Sequence, residues 1–408
     1  MNCRNCQTPL VLPFLDLGTA PPSNAYLTGS QLMSLETFYP LRILLCRQCW
    51  LVQTEDYAAE TELFSPDYAY FSSISSTWLA HAQNYALAMR ERFGLSGQSR
   101  VVEVAANDGY LLQYFRKAGI PCYGIEPTAS TAHAARERGI EIIQEFFGVR
   151  LAGTLVAAGR QADLMVANNV LAHVPDINDF VSGFAALLKP AGVATFEFPH
   201  LLNLIEKCQF DTVYHEHYSY LSLIAVKSIF ERNGLEIFDV ETIPTHGGSL
   251  RLFAQKSETG TQAIQPAVQA LLETEERAGL RCESFYAGFQ AKAESVKNEF
   301  LAFLLAARRD GKVVVAYGAA AKGNTLLNFA GVRQDLLPYI VDRNPAKQGK
   351  FAPGSHIPIV GEERLWRDRP DYLLILPWNI SEEITAQLAG IGEWGGQFVV
   401  AIPKLEIR

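Results

Sequence analysis

From residue 99 onward the sequence alternates short β-rich runs with helical stretches, and this alternation restricts the fold more than any other feature. The β-rich runs are Arg100–Val104, Cys122–Ile125, Glu141–Ile143, Leu164–Ala167 and Val193–Phe198. Between them, Tyr110–Ala118 and Thr128–Glu137 are predicted to be helical. Alternation with short loops is typical of a parallel sheet that helices cover on both faces. A strand pair near Leu235–Val240 and Leu250–Ala254 is predicted to end this unit.

A second α/β unit is predicted in the C-terminal third of the chain. It contains four β-rich runs, at Val313–Ala316, Tyr339–Val341, Tyr372–Leu376 and Phe398–Ile402. The preceding residues 261–309 carry long charged and alanine-rich runs that predict helices. Since 408 residues are too many for one ordinary core, we expect three domains, covering residues 1–75, 76–260 and 261–408.

Four cysteines near the N-terminus form two pairs with metal-site spacing. Cys3 and Cys6 make one C-x-x-C pair, and Cys46 and Cys49 make the other. Two such pairs complete the tetrahedral shell of a structural Zn²⁺ ion and leave no open position for catalysis. Free or redox-active cysteines are the alternative. The remaining cysteines, Cys122, Cys208 and Cys282, are expected to be isolated small residues.

Charge and hydropathy exclude several classes of protein. A formal net charge of −8 argues against a general nucleic-acid binder, which would carry a basic surface. No apolar run is long enough to cross a bilayer, and the N-terminus lacks the apolar region of a signal peptide. We therefore expect a cytoplasmic protein with no nucleic-acid or membrane partner. Nothing in the sequence demands a dimer, and a monomer is the expectation.

A candidate ligand-binding turn follows the first strand of the central unit. Glu103, Ala105, Asn107 and Gly109 stand where a strand gives way to a helix, a geometry that presents backbone amides to a ligand. Glu126 ends the second strand, where a carboxylate accepts hydrogen bonds from ribose hydroxyls. The spacing is not G-x-G-x-x-G, so a nicotinamide cofactor is not favoured. It resembles instead the first motif of class I S-adenosylmethionine-dependent methyltransferases, with Ala105 and Asn107 at two glycine positions.

Later loops of the central unit arrive in the order that this superfamily shows. Phe146 and Phe147 follow the third strand, where an aromatic ring can contact adenine. Asn168, Asn169 and His173 follow the fourth strand, and residues 188–192 precede the fifth. A generic nucleotide-binding fold with packing phenylalanines is the alternative.

The segment Tyr214–Tyr220 places seven hydrogen-bonding side chains in seven residues, with His215, Glu216 and His217 at its centre. Buried polar groups cost free energy unless they are paired, so such a run is unusual in a purely structural element. Five of the eight histidines fall within one 74-residue window, from His173 to His246. Histidine suits acid–base chemistry near neutral pH. A second metal site and a structural polar network are the alternatives.

In the C-terminal unit, a strand leads into Gly318 and a turn of small residues, followed by Lys322. Small residues permit close approach of the backbone, and the lysine adds positive charge, so a diphosphate is the expected ligand. A fold of this kind with an empty site is the alternative.

With these motifs together, the chain resembles the nucleotide-sugar C-methyltransferases, which add a methyl group at C3 of a dTDP-linked 4-keto-hexose. Its most specific stretches are 214–217, 246–251 and 317–325. The resemblance implies an α/β protein: a class I methyltransferase Rossmann-like core, flanked by a small N-terminal zinc-binding domain and a C-terminal Rossmann-like domain. It implies S-adenosylmethionine and structural Zn²⁺ as cofactors and a small-molecule nucleotide-sugar partner.

The resemblance also implies roles for individual residues. His217 would remove the C3 proton that the C4 ketone makes acidic, with Glu216, Tyr214 and Tyr68 around it. The implied substrate contacts are Tyr70, Ser72, His173, His215, His246, Arg251, Tyr317, Lys322 and Asn324. An O- or N-methyltransferase acting on a sugar or another small metabolite is one alternative function, and a zinc-containing binding protein with a vestigial donor pocket is another.

Overall fold

The computed structural model describes residues 1–57 and 71–408, and within these ranges it contains three β-sheets. The first is antiparallel and belongs to the N-terminal residues. Its first three strands are β1 (Leu12–Ala20), β2 (Tyr39–Leu45) and β3 (Val52–Thr54). These strands were not predicted from the sequence. Phe14 of β1 stacks on Phe289 with ring centroids 4.8 Å apart, so the N-terminal sheet packs on the C-terminal part of the chain.

The central unit follows a connecting helix, α1 (Ser76–Arg92). Its elements are β4 (Val101–Val104), α2 (Leu112–Lys117), β5 (Cys122–Ile125), α3 (Ala129–Glu137), β6 (Ile142–Ile143), α4 (Val149–Ala157), β7 (Ala162–Asn168), α5 (Ile177–Leu187), β8 (Leu188–Pro199), α6 (Leu201–Glu206), β9 (Ser219–Tyr220), α7 (Leu223–Arg232), β10 (Leu235–Ile243) and β11 (Ser249–Lys256). The segment 188–192, expected before the fifth strand, is the start of β8 itself.

The central sheet has seven strands in the order β10-β11-β8-β7-β4-β5-β6. Strands β4 to β8 are parallel, whereas β10 and β11 are antiparallel additions at one edge. Strand β9 leaves this sheet and pairs with β3 of the N-terminal sheet. The chain reverses direction across the sheet between β4 and β7, and a ligand in an open α/β sheet binds beyond the carboxyl ends of the strands at such a point.

The C-terminal part begins with the helices α8 (Pro266–Ala278), α9 (Glu283–Tyr286) and α10 (Phe289–Arg309). Helix α8 packs on the central unit, where Glu275 accepts hydrogen bonds from the backbone amides of Leu223 and Ile224 at 2.7 and 2.8 Å. The same carboxylate lies 2.7 Å from the imidazole of His200. Because these amides begin helix α7, Glu275 supplies partners for its otherwise unpaired N–H groups.

The third sheet has six strands in the order β14-β13-β12-β15-β16-β17, and only β17 runs antiparallel to its neighbour. Its elements are β12 (Val314–Tyr317), α11 (Ala321–Phe329), β13 (Ile340–Val341), β14 (Ile359–Val360), α12 (Glu363–Asp368), β15 (Tyr372–Ile375), α13 (Ser381–Gln387), β16 (Gln397–Val400) and β17 (Glu406–Ile407). Strand order reverses between β12 and β15. None of the helices in the described ranges combines the length and apolar character needed to cross a bilayer.

Candidate active site

One cavity of about 880 Å³ lies at the carboxyl ends of β4 and β7, where strand order reverses. Its walls come from all three parts of the chain. The N-terminal residues contribute Arg4 and Asn24, the central unit contributes most of the lining, and the C-terminal part contributes Lys322 and Lys347. Ligand pockets commonly lie at such junctions.

The turn after β4 has the backbone geometry that the glycine-rich motif normally requires. Ala105 and Asn107 have φ angles of +55° and +48°, in the left-handed region that favours glycine. Gly109 has a φ of +76°. The turn therefore keeps its shape although two of the usual glycines are replaced. Asparagine tolerates this conformation well, whereas alanine adopts it at a cost.

Glu126 lies in the cavity wall, and the neighbouring backbone fixes its carboxylate. One oxygen accepts from the amide of Asn107 at 2.9 Å, and the other accepts from the amide of Thr128 at 2.9 Å. The Thr128 hydroxyl also donates to the second of these oxygens, so the oxygen bonded to Asn107 is the one that keeps a lone pair. Glu126 can thus hold this loop in place and also accept a hydrogen bond from a ligand hydroxyl.

Asn168, at the end of β7, has both side-chain polar atoms buried and without a hydrogen-bond partner among the described residues. An amide left in this state is costly, so the cavity fits a polar ligand at this position. Asn169 and His173 follow it and also line the wall, as do Phe146 and Phe147. The Phe147 ring packs at right angles to Phe180 and Phe184, while Phe146 is exposed to the cavity mouth.

His217 projects from a tight turn in which its amide donates to the carbonyl of Tyr214 at 2.9 Å. Its imidazole Nδ1 lies 2.8 Å from the carbonyl oxygen of Thr212. A carbonyl only accepts, so Nδ1 carries the proton and Nε2 keeps its lone pair. Burial lowers the pKa of His217 well below its usual value, and the nearby His173 strengthens the effect. The ring is therefore neutral at neutral pH.

The surroundings of His217 are aromatic and carboxylic. Its ring lies 3.9 Å, centroid to centroid, from Tyr214 and 4.6 Å from His173. Glu216 is buried in the cavity wall, and the side-chain nitrogen of Asn24 donates to both of its carboxylate oxygens at 2.8 and 2.9 Å. The cavity thus joins a fixed carboxylate to a neutral imidazole.

Three more of the predicted residues line the same cavity. Ser72 covers the turn after β4, where its amide donates to the side-chain oxygen of Asn107 at 2.9 Å. His246 packs on Trp78 with ring centroids 5.3 Å apart, and burial lowers its pKa to about 4. Lys322 donates to the side-chain oxygen of Asn379 at 2.6 Å, and burial lowers its pKa.

Six of the predicted site residues lie outside the cavity lining: Glu103, Gly109, His215, Arg251, Tyr317 and Asn324. Glu103 is almost fully buried within β4, and burial raises its pKa well above the ordinary value. Gly109 serves packing, since a Cβ there would come within 2.4 Å of the Ile140 side chain. Arg251 pairs with the Glu197 carboxylate at 2.6 Å.

His215, Tyr317 and Asn324 make structural contacts elsewhere. The imidazole of His215 lies 3.2 Å from the carbonyl of Pro40, and its ring packs at the edge of Tyr39. Tyr317 donates to Glu362 at 2.5 Å. Asn324 donates to the carbonyl of Ser23 at 2.7 Å. The remaining two predicted residues, Tyr68 and Tyr70, lie outside the described residues.

The four paired cysteines come together as the spacing predicts. Their sulfur atoms all lie within 4.8 Å of one another, with Cys3 and Cys49 at 3.5 Å and Cys6 and Cys46 at 3.4 Å. A tetrahedral Zn²⁺ with bonds of about 2.3 Å would separate its sulfurs by about 3.8 Å. The donor set therefore fits a structural zinc ion.

Sequence reasoning missed several residues of the cavity wall, chiefly Arg4, Asn24, Asp56 and Trp78. Arg4 stands inside the first cysteine pair, where only its neighbours have a recognisable spacing. Asn24 follows Pro21, Pro22 and Ser23 in a loop without a known motif. Nothing local marks either residue, because both reach the cavity through tertiary contacts.

Three family models match this chain. Residues 3–64 match the family described as "Putative zinc binding domain", residues 78–240 match a methyltransferase domain, and residues 244–403 match a C-methyltransferase C-terminal domain. The chain is 34% identical over 402 residues to the C-methyltransferase NovU of Streptomyces niveus, covering 98% of this chain and 95% of that protein.

A ubiquinone biosynthesis O-methyltransferase of Bordetella avium is 31% identical over 99 residues, covering 24% of this chain and 41% of that protein. Among solved structures, magnesium protoporphyrin IX methyltransferase from Synechocystis PCC 6803 covers 44% of this chain and 82% of its own, with 16% identity and a TM-score of 0.33. A methyltransferase from Thermotoga maritima covers 47% and 98%, with 15% identity and a TM-score of 0.35.

The central sheet, its binding turn and the matched methyltransferase domain agree on a class I methyltransferase fold that uses S-adenosylmethionine. The full-length similarity adds the zinc-binding and C-terminal domains in the same order. The chain belongs to the C-methyltransferase family.

Proposed function

We propose that this enzyme methylates C3 of a nucleotide-linked 4-keto deoxysugar, with His217 as the base. One observation carries the proposal: His217 lines the donor cavity, and the hydrogen bond from its Nδ1 to the carbonyl of Thr212 leaves the lone pair on Nε2. A carbon becomes nucleophilic only after a proton leaves it, and an adjacent ketone makes that proton acidic. The alternative, O- or N-methyl transfer, needs no such carbon acid.

The chemistry divides between the donor and the chain's own residues. S-adenosylmethionine supplies, when bound, an electrophilic methyl group on sulfonium. Nε2 of His217 takes the proton from C3, and the electron pair of the C3–H bond becomes the C3–C4 enolate, whose negative charge lies largely on the C4 oxygen. C3 then forms its bond to the methyl carbon, and the electron pair of the broken S–CH3 bond leaves with the neutral sulfur. The Thr212 carbonyl keeps accepting from Nδ1 throughout, so the ring holds its orientation while it gains a proton.

The lowered pKa of His217 has two consequences for this step. The imidazole can accept a proton at neutral pH, because His217 is unprotonated in nearly all enzyme molecules. It is also a weaker base than a free imidazole, so the reaction depends on stabilisation of the enolate oxygen. Lys322 is a cation in the same cavity whose charge acts on both His217 and His246. We assign the stabilisation of the negative charge that develops on the C4 oxygen to the part of the cavity wall that contains Lys322.

The size and charge of the cavity support a second ligand beside the donor. About 880 Å³ is near the upper end of the range for small-molecule sites. At the C-terminal wall, Ala320 and Ala321 begin helix α11 and line the cavity together with Lys322 and Lys347. Backbone amides at a helix start and two lysines suit the diphosphate of a nucleotide sugar.

The other roles follow from position. Glu126 would accept from the donor ribose, and Asn168, Asn169, Phe146 and Phe147 would contact the remaining parts of the donor. Tyr214, Glu216, Ser72, His173 and His246 would surround the sugar. For Tyr68 and Tyr70 the proposal rests on the family resemblance alone.

Two measurements test the proposal. The enzyme is incubated in D₂O, without donor, with dTDP-linked and UDP-linked 4-keto-6-deoxyhexoses, and the exchange of hydrogen at C3 is followed by NMR. S-adenosylmethionine is then added and the product mass is measured. We expect enzyme-dependent exchange at C3 and a gain of one methyl group on carbon for at least one of these sugars. Methylation of oxygen or nitrogen would overturn the proposal. Methylation of a sugar whose C3 hydrogen does not exchange in D₂O would also overturn it.

A further inference from the structure

The N-terminal residues that contain the zinc site form hydrogen bonds to three consecutive residues of the segment Tyr214–Tyr220, which we call the reacting segment. Asn24 donates to both carboxylate oxygens of Glu216, the Thr54 hydroxyl donates to the backbone carbonyl of His217, and Arg4 donates to the backbone carbonyl of Tyr218. Each contact joins positions more than 160 residues apart. Three separate side chains therefore converge on residues 216–218.

Backbone hydrogen bonds also join the N-terminal sheet to the reacting segment. The amide of Thr54 donates to the carbonyl of Tyr218 at 3.1 Å, and strand β3 then pairs with β9 through Val52 with Tyr220 and Gln53 with Ser219. The reacting segment is thus the last strand of the N-terminal sheet and the turn that leads into it. Its position follows that sheet, although its sequence lies within the methyltransferase part of the chain.

Arg4 connects these hydrogen bonds to the metal site. It stands between the ligands Cys3 and Cys6, and its backbone amide donates to the side-chain oxygen of Gln53 at 2.9 Å. Its guanidinium is buried, lies over the Tyr218 ring at 4.9 Å and donates to the carbonyl of Thr54 at 3.0 Å. A buried arginine with this many partners has one fixed place.

A contact with the donor side completes the arrangement. The guanidinium of Arg4 donates to the carbonyl of Pro175 at 3.1 Å, and the side chain of Asn178 donates to the carbonyl of Arg4 at 3.0 Å. Pro175 and Asp176 line the donor cavity just before helix α5. One residue of the zinc knuckle therefore touches both the loop that follows β7 and the segment that carries His217.

We propose that the zinc-bearing unit positions His217 and Glu216 against the donor, with Thr54, Arg4 and Asn24 as positioning residues. This inference rests on the proposed function, in which His217 is the base. The unit then acts on the rate of the chemical step and not on donor affinity. Substitution of Thr54 tests the inference most directly, because its hydroxyl donates to the carbonyl of His217 itself.

The test compares Thr54→Val with Thr54→Ser. Valine has nearly the shape of threonine but lacks the hydroxyl, and serine retains it. With a dTDP-linked 4-keto-6-deoxyhexose, we expect Thr54→Val to lower kcat and the rate of C3 exchange together, by about tenfold to a hundredfold, as small misplacements of reacting groups do. The KM for S-adenosylmethionine should stay within about twofold, and Thr54→Ser should restore most of the rate.

A readout that needs no substrate keeps the inference testable by itself. In ¹⁵N-histidine NMR spectra, Thr54→Val should shift or broaden the His217 imidazole signals, while the signals of His200, held by Glu275, stay in place. Wild-type His217 signals in Thr54→Val would overturn the inference. Equal losses of rate in the valine and serine variants would do so too.

Failure of the two proposals looks different. If wild-type enzyme neither exchanges nor methylates any 4-keto sugar nucleotide, the proposed function is wrong, and the NMR comparison still decides whether Thr54 positions His217. If wild type is active and Thr54→Val matches it, only the positioning inference is wrong. Should Thr54→Val fail to fold, Asn24→Ala replaces it. This variant removes the donor to both oxygens of the buried Glu216 carboxylate, so its melting temperature should fall. Measured below that temperature, its kcat should be lowered at unchanged donor affinity, and a wild-type kcat would overturn the inference.

Discussion

The imidazole rings of His217 and His173 meet edge to face, with centroids 4.6 Å apart and planes inclined at 72°. His173 follows β7 in the donor-binding part of the chain, whereas His217 belongs to the segment that pairs with the N-terminal sheet. Burial lowers the pKa of both imidazoles, and a charge on His173 lowers the pKa of His217 further. Burial, strengthened at His217 by this contact, therefore keeps both imidazoles neutral at neutral pH, and both rings line the donor cavity.

Replacing His217 by Asn should abolish methyl transfer and leave donor binding intact. The amide can still donate to the Thr212 carbonyl, but it offers no basic nitrogen at the position of Nε2. Product formation is measured by mass spectrometry, and binding of S-adenosylhomocysteine is measured by calorimetry. His133→Asn is the matched control, because His133 is a surface histidine on helix α3. Full turnover by the His217 variant would remove it as the base.

The pH dependence of kcat/KM should also report His217. The proposed base acts in its unprotonated form, and burial holds the pKa of this imidazole well below 6.5. Activity should therefore persist as the pH falls from 8 to 6.5 and should decline only at lower pH. Rates measured across overlapping buffers at constant ionic strength give this profile. An acidic limb centred at pH 7 or above would contradict the assignment.

Much of the fold was predictable because hydrophobic runs and turn residues act locally. Strand Cys122–Ile125 has the predicted bounds, and the binding turn after β4 lies where the spacing placed it. The separation of His215 from His217 was not predictable, since only a turn closed by tertiary packing sends one ring to Pro40 and the other into the cavity.

The N-terminal contribution to the site was hidden for a similar reason. Asn24 reaches Glu216 across 192 residues of sequence, and no local pattern encodes a contact of that range. Strands β1 to β3 were also missed, because the cysteine spacing predicts a metal site but says little about the sheet built around it.

The stability of the protein should fall in mild acid because of its buried histidines. Burial lowers the pKa of His173 and of His246 to about 4, whereas an imidazole in the unfolded chain titrates near ~6.5. Between these values the unfolded state binds more protons, so stability is lost as the pH falls from about 6.5 towards 4. At about pH 4, each of these two imidazoles should have lowered the free energy of unfolding by about 1–3 kcal/mol relative to neutral pH.

Urea denaturation at pH 7.5, 6.5, 5.5 and 4.5 measures this loss. His246→Asn should weaken the pH dependence, since asparagine tolerates the φ of +54° found at this position and does not titrate. His133→Asn is the matched control, because that side chain is mostly exposed. Parallel curves for all three proteins would show that His246 titrates normally in the folded state.

Removing the metal should separate catalysis from donor binding. We expect one zinc per chain by elemental analysis, and we expect chelation or Cys46→Ser to lower the melting temperature of the N-terminal sheet. Methyl transfer should be lost because Arg4 and Thr54 then lose their fixed positions, while S-adenosylhomocysteine still binds the central sheet. Cys282→Ser is the control, since that thiol is exposed and does not belong to the four-cysteine cluster. A zinc-free protein with full activity would contradict this expectation.

Replacing Ala105 by Gly should stabilise the protein. Ala105 has a φ of +55°, and the left-handed conformation costs a residue with a Cβ about 1–2 kcal/mol. Glycine removes this strain but makes the unfolded chain more flexible, which costs about 0.5–1 kcal/mol. The balance predicts a gain of about 0.5–1 kcal/mol in the free energy of unfolding. Ala270→Gly, on the exposed face of helix α8, should instead lose about 0.5–1 kcal/mol. Chemical denaturation of the two variants measures both effects, and a loss of stability in Ala105→Gly would mean that the methyl group of Ala105 packs more favourably than its backbone is strained.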